Sequence, residues 1–89
     1  MQNVRLIGKQ TWVFQNHIYI NSTGTAVGPK EAAGPLGKLF DETHDELHCG
    51  EDNWEMAERR LMEQSIHTCL TKVNLTTKDV DFFLAGDLL

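Results

Sequence analysis

A short apolar run near the end of the 89-residue chain constrains the fold more than any other feature. Phe82-Phe83-Leu84-Ala85 is continuously apolar, which is typical of a strand covered on both faces, as in a parallel sheet. We therefore predict a strand over residues 80–86. Such a strand needs flanking strands and helices on both sides, and 89 residues supply neither. We expect the chain to be the front of a longer protein, or a truncated product.

An amphipathic helix is predicted directly before that strand, over residues 54–73. Charged residues take one side of it, and the other side is an apolar stripe with the helical period: Trp54, Ala57, Leu61, Met62, Ile66, Cys69, Leu70 and Val73. Asp52 followed by Glu55 fits a capping box at its start. Asn74 is a typical left-handed stop at its end. A strand, a crossover helix and a second strand form a βαβ unit.

The residues before the helix divide into a strand region and a long loop. Within residues 1–20, alternating side chains around Gln15-Asn16-His17 predict a hairpin or one bent strand. Residues 21–52 are first rich in glycine and proline and then acidic, which predicts a long ordered loop. Loops of this length in compact domains are usually functional or held by a neighbour. The sequence therefore predicts an α/β fold that this chain leaves incomplete.

Charge is unevenly distributed along the chain, whose net charge is −5. Residues 1–40 carry four basic groups and one acid, and residues 41–89 carry twelve acids and four bases. Nucleic-acid binding requires a basic surface that neutralises phosphates, so we expect no nucleic-acid partner. No apolar run approaches the roughly 18 residues that span a bilayer. Residues 1–10 lack the apolar stretch of a signal peptide, and two cysteines without a signal favour a reducing compartment.

The densest group of metal-ligating side chains lies in the acidic part of the loop. His44 and His48 are four residues apart and Cys49 follows, so zinc coordination by these three is one alternative. In a metalloprotease helix, glutamate directly follows the first histidine, whereas Asp45 stands there in this chain. A solvated acidic loop with exposed or capping histidines is the simpler interpretation. We therefore predict no metal site and no catalytic residue, with His44, His48 and Cys49 as the alternative.

Asp87 is the candidate ligand-binding residue. In open α/β sheets, ligands bind beyond the carboxyl ends of strands, and Gly86-Asp87 is such an end. A turn or a helix cap is the simpler interpretation, because Gly-Asp pairs are common turn formers. The ligand-binding residues are otherwise unassigned.

Several strings of residues resemble the start of the stage V sporulation protein AD family. They are GKQTW at 8–12, NSTGTAVGPKE at 21–31, GPLG at 34–37, DELHC at 45–49, NWEMAER at 53–59 and LAGDLL at 84–89. The resemblance covers nearly the whole chain. More distantly, the helix, residues 75–81 and the apolar strand resemble the first βαβ unit of thiolases and ketoacyl synthases.

This resemblance implies a thiolase-like fold of two similar layered αβαβα halves. Residues 1–89 would form the opening N-terminal segment of the first half. It also implies a sporulation protein of endospore-forming Firmicutes that lies peripherally at the inner membrane of the forespore and spore. Its partners would be other proteins of the SpoVA operon, through which it would associate with that membrane.

The implied ligand is dipicolinic acid or its calcium chelate, which enters the developing spore and leaves it at germination. Most of the residues that contact it would lie beyond this segment, and no cofactor is implied. The family is not known for condensing activity, so we expect no enzyme. Two alternatives are an acyl-transferring enzyme of the thiolase and ketoacyl-synthase class, which needs a reactive cysteine with histidine partners, and an acidic metal-binding module.

Overall fold

Two small sheets precede the main helix in the computed structural model, which describes residues 4–86. Strand β1 (Val4–Ile7) pairs antiparallel with β2 (Thr11–Phe14). Strand β3 (Ala26–Val27) pairs in parallel with β4 (Glu42–Thr43).

Helices and 3₁₀ turns connect and follow these strands. Helix α1 (Pro29–Ala32) and a 3₁₀ turn at Gly37–Leu39 lie between β3 and β4. The long helix α2 spans Trp54–Thr71, compared with the predicted 54–73, and a second 3₁₀ turn lies at Thr77–Asp79. The described chain is therefore mixed α/β, as the sequence predicts, with small sheets rather than an extended one.

The hairpin lies at different residues from those predicted. Its turn is at residues 8–10, not at Gln15-Asn16-His17, and residues 15–20 form no strand. Gly8 has a φ of +68°, a conformation that glycine adopts without steric penalty, so the chain reverses there. The pairs Val4–Phe14 and Leu6–Trp12 then bring apolar side chains opposite each other across the ladder.

The predicted strand over residues 80–86 is not formed. These residues are neither helix nor strand, and Phe82, Phe83 and Leu84 are 58%, 54% and 87% exposed. A strand requires hydrogen bonds to a neighbouring strand, and none of the strands within residues 4–86 pairs with this segment. Consequently the predicted βαβ unit around α2 is also incomplete. The parallel pair that does form, β3 with β4, is connected through α1 instead.

An asparagine lies at each end of helix α2: Asn53 is its N-cap, and Asn74 follows its last turn. Oδ1 of Asn53 accepts a hydrogen bond from the N–H of Met56 at 2.9 Å, so the predicted capping box at Asp52 is one residue too early. Asn74 is left-handed with a φ of +57°, as predicted. The N–H of Leu75 donates to the C=O of Leu70 at 2.9 Å, which satisfies a carbonyl of the last turn.

The loop backbone before β3 lies directly on helix α2. A Cβ at Gly24 would overlap the carbonyl oxygen of Ser65 and lie 2.8 Å from the backbone nitrogen of Cys69. The hydroxyl of Ser22 donates to the C=O of Cys69 at 2.7 Å. Only glycine permits this backbone approach, because any side chain would push the loop away from the helix.

Most large apolar side chains of the described residues stay exposed. Cys49 and Ala57 are the buried apolar residues of this part of the chain. The accessible surface is 7831 Å², whereas a compact protein of 10.1 kDa exposes about 5,300 Å². The radius of gyration is 16.4 Å, compared with about 12 Å for a compact domain of this length. The exposed large apolar side chains include Leu6, Ile7, Trp12, Phe14, Ile18, Tyr19, Ile20, Phe82, Phe83 and Leu84.

The position of the N-cap gives a first test. Asn53→Ala removes the acceptor for the N–H of Met56 and should lower the stability of α2 by about 1 kcal/mol. Asp52→Ala serves as the control, since the side chain of Asp52 does not cap the helix. Thermal unfolding followed by circular dichroism at 222 nm measures both. Equal losses in the two variants would contradict the assigned cap.

The contact at Gly24 gives a second test. Gly24→Ala forces the loop off the helix and should cost roughly 1–3 kcal/mol of unfolding free energy, typical of overpacking. Gly86→Ala is the matched control, because no atom lies within 4 Å of a Cβ built at Gly86. Denaturant titration compares the two variants with the parent chain. A Gly24 variant as stable as the Gly86 variant would refute the close approach.

Candidate functional site

The structure does not bring together His44, His48 and Cys49, the alternative set of metal ligands. Nε2 of His44 lies 2.7 Å from Oε1 of Gln64 on α2, whereas the ring of His48 packs edge-on against Trp54 with centroids 4.4 Å apart. The chain forms bends and turns after His44, so four-residue spacing does not align the two imidazoles on a helix. Within residues 4–86, no three His, Cys, Asp or Glu side chains are placed to hold a metal ion.

The two cysteines occupy packing positions. Cys49 is 3% exposed and has a φ of +54°, which is uncommon for a residue with a side chain. Cys69 is half-buried on α2, at the place where Gly24 rests on the helix. Asp87, the candidate ligand-binding residue, lies outside the described residues.

A polar cluster that sequence patterns did not reveal joins three parts of the chain. We call it the Asp41 clip, formed by Thr25, Asp41 and Lys72. Oδ2 of Asp41 accepts the backbone N–H and the hydroxyl of Thr25 at 2.9 and 3.1 Å, and Oγ1 of Thr25 accepts the N–H of Asp41 at 2.9 Å. Nζ of Lys72 lies 2.9 Å from Oδ1 of Asp41 and donates to the C=O of Thr23 at 3.0 Å.

The clip fixes the loop before β3 and the start of β4 to the C-terminal end of α2. The hydrogen bond from Lys72 holds the pKa of Asp41 below its ordinary value of 3.8, and the N–H of Thr25 lowers that pKa further. A carboxyl group whose pKa is lowered by folding stabilises the folded state above its unfolded pKa. That contribution is therefore complete above pH 3.8 and is lost as the pH falls through the lowered value.

A charged groove of about 560 Å³ runs along the polar side of α2. Arg60 pairs with Glu51 at 3.2 Å, and Arg59 pairs with Glu63 one helical turn away at 3.4 Å. The groove is lined by Glu42, Glu51, Met56, Arg59, Arg60, Glu63, Gln64, His67 and Thr68. Both guanidinium groups already face carboxylates of this chain, so the groove is of mixed charge rather than an anion site.

A second cavity, which we call the apolar pocket, lies at the start of α2. Its volume is about 440 Å³, within the range of sites that bind small molecules or side chains. Its walls come from the beginning of α1, the turn before α2 and the first two turns of α2. They consist of Gly28, Pro29, Lys30, Glu31, Leu47, Cys49, Trp54, Ala57, Glu58 and Leu61.

Within residues 4–86, no helix combines the length and the apolar character that crossing a bilayer requires.

Comparison with known proteins identifies a family. Residues 8–89 match the family model of stage V sporulation protein AD. Stage V sporulation protein AD of Bacillus subtilis (strain 168) is 60% identical over 86 residues, which cover 97% of this chain and 25% of that relative. The chain therefore spans about a quarter of the length of the curated relative it matches.

Removing the cation of the Asp41 clip tests the origin of the lowered pKa. Lys72→Met should raise the pKa of Asp41 toward 3.8, because the hydrogen bond from Lys72 is the largest cause of the shift. Carboxyl chemical shifts recorded by NMR between pH 2 and 6 measure this. Lys78→Met serves as a charge-matched control and should leave the titration of Asp41 unchanged. An unchanged pKa in the Lys72 variant would show that the clip does not form.

Proposed function

The chain belongs to the stage V sporulation protein AD family, and on this premise we propose that it is the opening segment of a protein that binds dipicolinic acid or its calcium chelate. The protein takes part in uptake of this ligand into the developing spore and in its release at germination. The observation that carries the proposal is 60% identity over 97% of the chain to a member of that family.

The proposal places most of the ligand-binding residues beyond residue 89. Dipicolinate carries two carboxylates, which proteins bind through arginine, lysine and backbone N–H donors. Of the eight lysines and arginines in this chain, Arg59, Arg60 and Lys72 are each paired with a carboxylate of the chain itself. This internal pairing supports a ligand site built mainly by other residues of the longer protein.

We assign to residues 1–89 the start of the first half of a thiolase-like fold. In this arrangement residues 80–86 become an interior strand, paired on its edges and covered on its faces by the rest of the protein. The exposure of Phe82, Phe83 and Leu84 supports this assignment, because a monomeric protein rarely leaves three adjacent large apolar side chains uncovered. Peripheral attachment to the inner spore membrane then occurs through other proteins of the SpoVA operon.

The protein acts by binding and not by condensing acyl groups. A thiolase-type enzyme needs an exposed cysteine activated by a histidine. The burial of Cys49 and the position of Cys69 beneath Gly24 support a structural role for both cysteines of this chain.

Titration calorimetry with dipicolinate tests the proposal. We expect the full-length Bacillus subtilis relative to bind and the isolated 89-residue chain to give no heat of binding. A chimera in which this chain replaces the matching quarter of the relative should bind with a Kd within about threefold of the relative's, since the ligand contacts lie elsewhere.

Each failure has a distinct meaning. A relative that does not bind dipicolinate would refute the function. Binding by the isolated chain would refute the placement of the site. Release of free coenzyme A from an acyl-coenzyme A by the relative would favour the acyl-transfer alternative.

A further inference from the structure

The apolar pocket at the start of α2 has the form of a docking site for another protein. We propose that it receives a bulky apolar side chain from a basic segment of a partner protein. This inference does not rest on the binding of dipicolinate, since it concerns a surface of this chain alone.

The pocket combines a packed floor with an exposed mouth. Cys49 and Ala57, which are 3% and 4% exposed, are the buried apolar residues of the described chain, and both line it. Leu47 and Trp54 also line it and remain 64% and 54% exposed. Large apolar side chains beside a preformed cavity are the usual centre of a protein–protein contact, in which a few anchors supply most of the affinity.

Local contacts hold the walls of the pocket in place before any partner binds. The ring of Trp54 meets the edge of His48 at an interplanar angle of 86°. On another wall, the N–H of Ala32 donates to the C=O of Gly28 at 3.0 Å, which closes the single turn of α1. A pocket that is ordered in the free protein loses less conformational entropy on binding.

Charge complementarity identifies the partner as basic. Residues 41–58 contain no lysine or arginine and eight carboxylates: Asp41, Glu42, Asp45, Glu46, Glu51, Asp52, Glu55 and Glu58. Two of these, Asp41 and Glu51, pair with Lys72 and Arg60. Glu31 and Glu58 line the pocket itself, against the single cation Lys30. A field of this sign attracts lysine and arginine side chains and repels anionic ligands.

The pocket is separate from the region of α2 near Phe83. Phe83 lines cavities together with Ile66 and Leu70, toward the C-terminal half of the helix. The pocket instead involves Trp54, Ala57 and Leu61, in the first two turns. The apolar pocket and the cavities beside Phe83 therefore lie along different halves of α2.

Three peptides of equal length test the proposal on the 89-residue chain. The probe is an octapeptide with two central leucines flanked by glycines and by pairs of lysines. In one control the leucines are serines, and in the other the lysines are glutamates. With Trp12→Phe as background, Trp54 is the only tryptophan, and its emission reports binding. We expect the leucine–lysine peptide to bind at least about tenfold more tightly than either control.

Two exposed leucines provide matched variants. Leu47→Ser removes a wall of the pocket and should weaken binding at least about tenfold, whereas Leu39→Ser, at a site 77% exposed and outside the pocket, should not. Circular dichroism at 222 nm checks that α2 persists in each variant, and the titration is repeated on the chimera described above.

Four results would each overturn the proposal. They are absence of binding in either the chain or the chimera, equal binding of the serine peptide, equal binding of the glutamate peptide, and no effect of Leu47→Ser. Self-association of the chain that Leu47→Ser abolishes in sedimentation velocity would assign the pocket to a second copy instead.

Discussion

The backbone contact between Gly24 and helix α2 is the constraint on which the rest of the structure depends. Because Gly24 has no side chain, the loop reaches the backbone at Ser65 and Cys69, and Ser22 completes the contact with a hydrogen bond. The loop then runs beside the helix into β3, whose pairing with β4 places the acidic turns next to the start of α2. The apolar pocket and the charged groove both result from this path.

The Asp41 clip holds the same loop to the end of α2 through hydrogen bonds. Thr25 and Asp41 bond to each other reciprocally, and Lys72 extends the network from the end of α2. Exposed ion pairs contribute little to stability on their own. In this cluster the same carboxylate also accepts a backbone N–H, so its effect is to fix which residues of a glycine-rich loop meet the helix.

Local patterns in the sequence predicted local structure well and long-range structure less well. Helix α2 and the left-handed Asn74 follow from rules that act within a few residues, and both are present in the structure. The predicted apolar stripe is less exact, since α2 ends before Val73 and Trp54 is 54% exposed. Alternation of side chains predicts the hairpin turn at residues 15–17, whereas the positive φ of Gly8 accompanies a turn at residues 8–10. The Asp41 clip joins residues that are 16 positions apart, Thr25 and Asp41, and could not be inferred from spacing.

The predicted strand at 80–86 depends on pairing partners, which no pattern within those residues supplies. The spacing of His44, His48 and Cys49 could not reveal that the two imidazoles meet different partners on α2, Gln64 and Trp54.

The central claim is that residues 80–86 form an interior strand only when the remainder of a longer protein pairs with it. Amide hydrogen exchange at residues 82–85 tests this most directly, measured in the isolated chain and in the chimera with the Bacillus subtilis relative. The claim predicts exchange close to that of an unfolded peptide in the isolated chain and at least about a thousandfold slower exchange in the chimera, as for buried strands. Strong protection of these amides in a monomeric, isolated 89-residue chain would contradict it.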